Sequence, residues 1–311
     1  MKREACEPRR AASGLLVAMR ISVFITSYNQ AHLLPEAIAS VLAQTRPAAE
    51  IVIVDDASTD GSRALIDSYA SAHPRLIKAL YHETNTGVAQ TRIDALSAVT
   101  GDHVTYVDGD DRFLPDKLAR EAAALLADPA ASIAYSNTRY MSEDFTTPVH
   151  TWVDGEAVPQ GDVFLETFTR SFPRRSLFRM ELVRTADWRR IGFHDPNLQI
   201  YEDFDMRIRL TKHLKTVYVD NVGSEIRTHQ SGLSKLPDDR HLACLSYLYR
   251  KSLPLLADLP AERARDARRR LACWILRIGA RATVGSARAG RPVASARSAF
   301  ATGRLMLEAW P

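Results

Sequence analysis

An α/β fold with a mostly parallel central sheet flanked by helices, of the nucleotide-binding type, is what this 311-residue sequence predicts, and three observations predict it. Over roughly the first 140 residues, short β-branched runs alternate with helical periods, the pattern of βαβ units. Four of those runs end in polar or acidic residues, and ligands of open α/β sheets bind outside the carboxyl ends of the strands. Apolar residues make up 46% of the chain, enough to bury the core of one large domain or two ordinary ones.

Residues 1–19 carry Arg9 and Arg10 ahead of Leu15, Leu16 and Val17, an apolar run too short for a signal peptide or a membrane span. They are expected to be a disordered leader or a start assigned too far upstream, since Met19 stands two residues before the first strand. Ile21–Ile25 is that strand. Leu34, Ile38, Val41 and Leu42 follow with helical spacing, with Pro35 suited to a first turn. Ile51–Val54 is the second strand, and Ser58 or Thr59 is expected to cap the next helix. Strands at Leu76–Tyr81, His103–Val107 and Ile133–Ser136 enclose helices at Asn85–Ala98 and Pro115–Leu126. The stretch 146–175 is irregular and reads as a loop leading into packing elements. Residues 201–213 return to a helical period with acids at the start, where the helix dipole favours them. A strand at Thr216–Val219 follows. Beyond Pro237 the chain is helical and Ala/Arg-rich, with runs at Leu242–Tyr249 and Arg263–Arg281, a break over Gly285–Pro292 and a last short helix. The expected organisation is therefore a leader at 1–19, an α/β domain at 20–236 and an Arg-rich helical extension at 237–311.

The formal net charge of +4 is unevenly spread. Residues 261–311 hold eleven arginines, no lysine and three acids, a net +8 that leaves the first 260 residues at −4. An acidic body with a cationic tail argues against a nucleic-acid partner, which needs basic residues on the working face. The tail itself reads either as a solvated helix face or as a surface for anionic lipid, an anionic acceptor or self-association. Cys6, Cys244 and Cys273 are too scattered for a zinc site or a disulfide framework, which fits a reducing cytoplasm, with peripheral contact at the inner face of the membrane left open.

The candidate chemistry sits at the strand ends. The first strand runs into Thr26, Ser27, Tyr28 and Asn29, the second into Asp55 and Asp56, the third toward Asn85 and Gly87, and the fourth into Asp108, Gly109, Asp110 and Asp111. Asp108 and Asp110 at i, i+2 supply hard oxygens that suit Mg²⁺ or Mn²⁺ shared with a diphosphate; an acidic turn is the plainer alternative. Of the two, Asp110 is the direct metal candidate, Asp108 can equally hold ribose or act through water, and Asp111 is structural. Asp55 and Asp56 can accept from a base or ribose, or cap a helix. Glu202 and Asp203 can take a proton from a hydroxyl, or can be ordinary acids of a first helical turn. His229 is a candidate for a metal or phosphate contact, or a satisfied structural histidine.

Six segments in order resemble glycosyltransferase family 2, over roughly residues 20–235: ISVFITSYNQ, EIVIVDDASTDGS, NTGVAQTR, HVTYVDGDDRFLPDKL, LQIYEDFDMRIRL and IRTHQSGLS. The resemblance implies a glycosyltransferase-A catalytic domain and Mn²⁺- or Mg²⁺-dependent, inverting transfer from a nucleotide-diphosphate sugar, most readily a UDP-sugar, to a saccharide or lipid-linked acceptor. It implies that Tyr28, Asp56 and Arg92 contact the base and ribose, that Asp108 and Asp110 form the D-x-D metal site with His229 near the metal or diphosphate, and that Asp203 is the general base. Two other classes stay open: a nucleotidyltransferase-like enzyme, weakened by the absence of a G-x-G-x-x-G or P-loop motif, and a non-catalytic nucleotide-binding partner protein.

Overall fold

The computed structural model describes residues 19–229 and 235–309. Residues 1–18 of the expected leader, and Gln230 to Ser234 of the sixth resembling segment, lie outside the described residues. The described residues form two compact units. The first runs to Asp162 and adds Phe178–Phe193 and Leu214–Thr228; the second gathers Val163–Leu177, His194–His213 and the residues from His229 onward.

The first unit is built on one nine-stranded sheet of order β3-β2-β1-β4-β8-β6-β9-β5, with β7 paired to β6. At its centre β1 (Ile21–Ser27) is buried at every position. A strand covered on both faces reads as a near-continuous apolar run, and the buried Ser22 that interrupts this one donates its hydroxyl to Glu50 at 2.6 Å. It pairs in parallel with β2 (Glu50–Asp55) and β4 (His103–Asp108), and β2 pairs in parallel with β3 (Ile77–Tyr81). The register sets Thr26 opposite Asp108 and Ser27 opposite Asp55, so the polar strand ends lie level on one edge.

Beyond β4 the sheet is mixed rather than mostly parallel. The three-residue β8 (Leu182–Arg184) runs antiparallel to both β4 and β6, too short to show any period in the sequence. β6 (Ala131–Met141) and β9 (Lys215–Arg227) pair in parallel, while β5 (Arg112–Phe113) and β7 (Pro148–Thr151) add antiparallel edges. Both long strands continue well past the apolar runs that predicted them, because their polar halves satisfy each other. The hydroxyls of Thr138 and Ser224 meet at 3.1 Å, and Arg139 reaches Glu225 at 3.1 Å.

Helix α1 (Leu34–Leu42) turns Leu34, Ala37, Ile38 and Val41 into the core. Helix α2 (Ser62–Ala72) begins later than a cap at Ser58 or Thr59 would place it, because Gly61, at φ 95°, takes the N-cap position. Ser58 and Thr59 instead tie the β2 loop to Asn29: the Asn29 amide donates to Ser58 Oγ at 2.8 Å and the Thr59 amide to Asn29 Oδ1 at 2.8 Å. Helix α3 (Val88–Ala98) follows Gly87, and α4 (Lys117–Ala127) buries an ion pair, Lys117 to Glu121 at 2.6 Å. α5 (Phe164–Thr169) and α6 (Thr185–Ile191) fall where no helix was legible.

In the second unit, α7 (Glu202–His213) matches the expected acidic-start helix, and α8 (Asp238–Ser252) follows. The tail departs from expectation. α9 (Ala261–Arg288) runs straight through Gly285, and α10 (Pro292–Ala309) is 18 residues long rather than a short cap. One glycine costs a helix about 1 kcal/mol, which a 28-residue helix with an apolar seam of Leu271, Ile275, Ile278 and Ala282 outweighs. Among the described residues no helix is long and apolar enough to cross a membrane.

Candidate functional site

At the end of β2, Asp55 and Asp56 serve different partners. Asp55 Oδ1 accepts the Ser58 amide at 2.9 Å and Arg63 Nε at 3.1 Å. Asp56 accepts from the Thr86 amide (2.8 Å), the Thr86 hydroxyl (2.9 Å), the Gly87 amide (2.8 Å) and His82 Nδ1 (2.8 Å). Burial alone would raise its pKa, but these donors outweigh that effect and hold the carboxyl below its ordinary range. Asn85 adds a donor to the Asp56 carbonyl at 3.4 Å. One carboxylate thus shapes the whole loop that leads into α3.

At the end of β4, Asp108 is gripped by a guanidinium. Arg92 Nη2 reaches its two oxygens at 2.8 and 3.1 Å, and Thr26 Oγ1 donates at 3.1 Å. Arg92 is itself buried and lies over the Tyr106 ring at 4.7 Å, so its position is fixed by packing before any ligand arrives. Gly109 has no room for a side chain: a Cβ would stand 2.6 Å from Gln30 Oε1 and 2.9 Å from the Thr26 carbonyl. Asp110 is half-buried, and its carbonyl accepts Arg227 Nε at 3.0 Å. Asp111 is buried and accepts the Arg227 amide at 2.9 Å; burial first, then the neighbouring Asp110 and Asp108 charges, push its carboxyl well above the usual range. That makes Asp111 a structural member.

Tyr28 is half exposed at the end of β1, and Asn29, at φ 53°, bridges the β1 and β2 loops. Of the predicted residues, the structure therefore joins Thr26, Arg92 and Asp108 in one hydrogen-bonded group and Asp56, Asn85 and Gly87 in another. Sequence reasoning missed His82 and Thr86, which complete the second group. It also missed Arg227, which links Asp110 and Asp111 to Glu36 (2.8 Å) from the last residue of β9. An arginine closing a strand two residues before His229 was the available signal.

Within the second unit, Glu202 and Asp203 open α7 after Tyr201, whose φ of 67° turns the chain into the helix. Glu202 is buried. Asp203, with 24% of its side chain exposed, accepts Arg207 Nη1 at 2.6 Å from a guanidinium that is 2% exposed. Asp205, two residues on, is held by Arg209 and Lys251, each at 2.9 Å. His229 is half-buried, just beyond β9.

Among the described residues no three His, Cys, Asp or Glu side chains gather as a protein-only metal cage. Two carboxylates at the end of β4 are a donor set of another kind. Hard carboxylate oxygens of this kind suit Mg²⁺ or Mn²⁺.

A curled mixed sheet whose strand ends carry acids, with helices on its faces, defines the glycosyltransferase-A fold, and solved structures match it. The mannosyltransferase PcManGT from Pyrobaculum calidifontis, in complex with GDP-Man and Mn²⁺, aligns with a TM-score of 0.59 at 20% identity, covering 93% of this chain and 81% of that one. TarS residues 1–349 of S. aureus, in complex with UDP-GlcNAc, aligns at 0.58 and 18%, covering 89% of each chain. Residues 22–187 match the family described as Glycosyl transferase family 2, and the chain belongs to that family. Among curated relatives, the putative teichuronic acid biosynthesis glycosyltransferase TuaG of Bacillus subtilis is 37% identical over 128 residues, 40% of this chain and 49% of that protein. The putative glycosyltransferase EpsE of the same organism is 36% identical over 106 residues, 34% and 38%. The chain spans half or less of the curated relatives it matches.

Proposed function

We propose that this chain transfers a glycosyl group from a nucleotide-diphosphate sugar, a UDP-sugar first, to a hydroxyl of a saccharide or lipid-linked acceptor, with inversion, in the building of a surface polysaccharide, lipopolysaccharide or glycolipid. The observation that carries the reading is the Arg92–Asp108–Thr26 group on the edge where four strand ends meet, in a chain of this family. Fold neighbours bound to UDP-GlcNAc and to GDP-Man with Mn²⁺ support it.

The roles divide as follows. Tyr28, Asp56 and Arg92 contact the base and ribose: Tyr28 offers an exposed ring for a base to stack on, Asp56 also fixes the Asn85–Gly87 loop, and Arg92 also holds Asp108 in place. Asp110 and Asp108, with His229 as a further contact, hold Mn²⁺ or Mg²⁺, which when bound supplies charge neutralisation to the departing diphosphate. Asp203 receives the proton of the acceptor hydroxyl as its oxygen bonds to the anomeric carbon and the bond to the β-phosphate oxygen breaks. A carboxylate paired to Arg207 is a weak base toward an alcohol, so proton transfer keeps step with attack while Arg207 fixes the carboxylate's aim. Glu202, buried at the preceding position, is assigned with it to the catalytic group. The tail is assigned to peripheral membrane contact or self-association.

The test is a panel of nucleotide sugars screened for Mn²⁺- or Mg²⁺-dependent release of nucleoside diphosphate. Release of pyrophosphate would point to nucleotidyl transfer instead. Asp203→Ala is expected to lower turnover by about 10²- to 10⁴-fold, the usual contribution of a positioned base. Undiminished turnover removes Asp203 from that role.

A further inference from the structure

The second unit contains a cavity of about 540 Å³ whose wall carries five arginines, Arg170, Arg175, Arg269, Arg270 and Arg277, beside Trp274, and no acidic residue. Two short pieces of chain build it. Arg269, Arg270, Trp274 and Arg277 recur at helical spacing on one side of α9, and Arg170 and Arg175 come from the loop after α5.

Like charges converge in a recess only if something holds them there. Arg170 lies over Trp274 at 4.4 Å and over Phe204 at 5.0 Å, and donates Nε and Nη2 to the Arg175 carbonyl at 3.2 and 3.0 Å. Arg270 is paired to Asp266 at 3.0 Å on the open side of the helix. Among the described residues no ion pair involves Arg175, Arg269 or Arg277. Arg170, Arg174 and Arg175 also all adopt φ near +55°, a backbone conformation that few non-glycine residues take, and such strain concentrates where a ligand is held.

We propose that this cavity is a phosphate-binding site that takes the phosphodiester or diphosphate group of an anionic acceptor. Its role toward the acceptor rests on the transferase reading above; its capacity for phosphate does not. Guanidinium forks match phosphate oxygens two at a time, and several arginines lining one recess suit a multiply charged tetrahedral anion better than a single carboxylate. The cavity's volume is that of an ordinary small-ligand site, and Trp274 gives it an apolar wall for the group that bears the phosphate.

Cys273, a free and exposed thiol in the same wall, supplies a local readout. The full chain is alkylated with a maleimide and the Cys273 peptide followed by mass spectrometry. The additions are pyrophosphate, a soluble glycerol-phosphodiester oligomer, a uronic acid oligomer, phosphatidylglycerol vesicles, or chloride at matched ionic strength. Both phosphate probes are expected to slow alkylation about fivefold or more. R269Q/R277Q is expected to weaken their binding about tenfold or more, while R265Q, on α9 but outside the wall, binds as the parent does. Should the double variant fail to fold, protection of the parent chain decides the matter. No protection by the phosphate probes, equal protection by chloride, or protection by vesicles or uronate alone overturns the proposal. A chain that turns over nucleotide sugar yet leaves Cys273 unprotected sinks this site alone. Protection without turnover keeps the site and sinks the transferase reading.

Discussion

The ends of β2 and β4 lie on the same edge of one sheet, each in register with β1, and both close on aspartates, yet they use those acids in opposite ways. At β2, Asp56 accepts from a hydroxyl, an imidazole and two backbone amides of the loop it shapes. At β4, Asp108 is neutralised by a buried guanidinium, and Asp110 stands half-buried beside it. The contrast separates an acid that shapes a loop from an acid held by a charge. The first is bound into its own backbone, so its loss is felt in stability. The second is balanced by an arginine at a half-open strand end, and the transferase reading proposed above gives it the ligand.

The largest effect is expected at β4. Asp110→Ala should cut metal-dependent donor hydrolysis about a hundredfold or more, in keeping with the several kcal/mol a bound metal contributes to a departing anion, and leave the Tm within about 2 °C of the parent. Wild-type turnover in that variant would erase the distinction drawn here. Asp56→Ala should instead cost about 2 kcal/mol in urea unfolding, because it strands the Thr86 and Gly87 amides and His82 without their acceptor. A variant that unfolds at the parent's urea midpoint would show that the loop holds itself.

The smallest effect concerns pH. Because the folded state depresses the Asp56 pKa, its contribution to stability is fully present above the ordinary carboxylate value of about 3.9 and is lost as pH falls through the lower folded value. Asp56→Asn, which cannot titrate, should lose less stability than the parent between pH 5 and pH 2 in thermal melts. Parallel curves for the two chains would contradict the assignment.

What the sequence made legible follows the same line. β1, β2, β4 and α1 were readable because each buries a continuous or periodic apolar face, and the polar residues after the strands marked the edge. The far halves of β6 and β9 were not, since Asn137, Thr138, Ser224 and Glu225 read as surface residues and are buried only through partners on the neighbouring strand. The positions of the site acids were visible, but their partners were not. Arg227 reaches Asp111 across 116 residues of sequence, and its place at a strand end beside His229 marks the arginine without naming its partner. His82 lay in a stretch with no motif, so the donor that completes the Asp56 cluster went unmarked. A cap at Ser58 failed because the Asp55 and Asn29 contacts had first claim on the loop.

Gly109 sets a limit on how such a site can change over generations. Its backbone lies so near β1 that any side chain would meet the Thr26 carbonyl, so a pool of variants randomised at codon 109 should return a single amino acid among the working clones. Asp110 beside it is half-open to solvent and faces no such steric limit. Neighbouring codons are thus under unequal constraint, one set by the packing of another strand and one not. Thr26 and Gly109 have to be inherited as a pair, since the carbonyl of the one leaves no room for a side chain on the other.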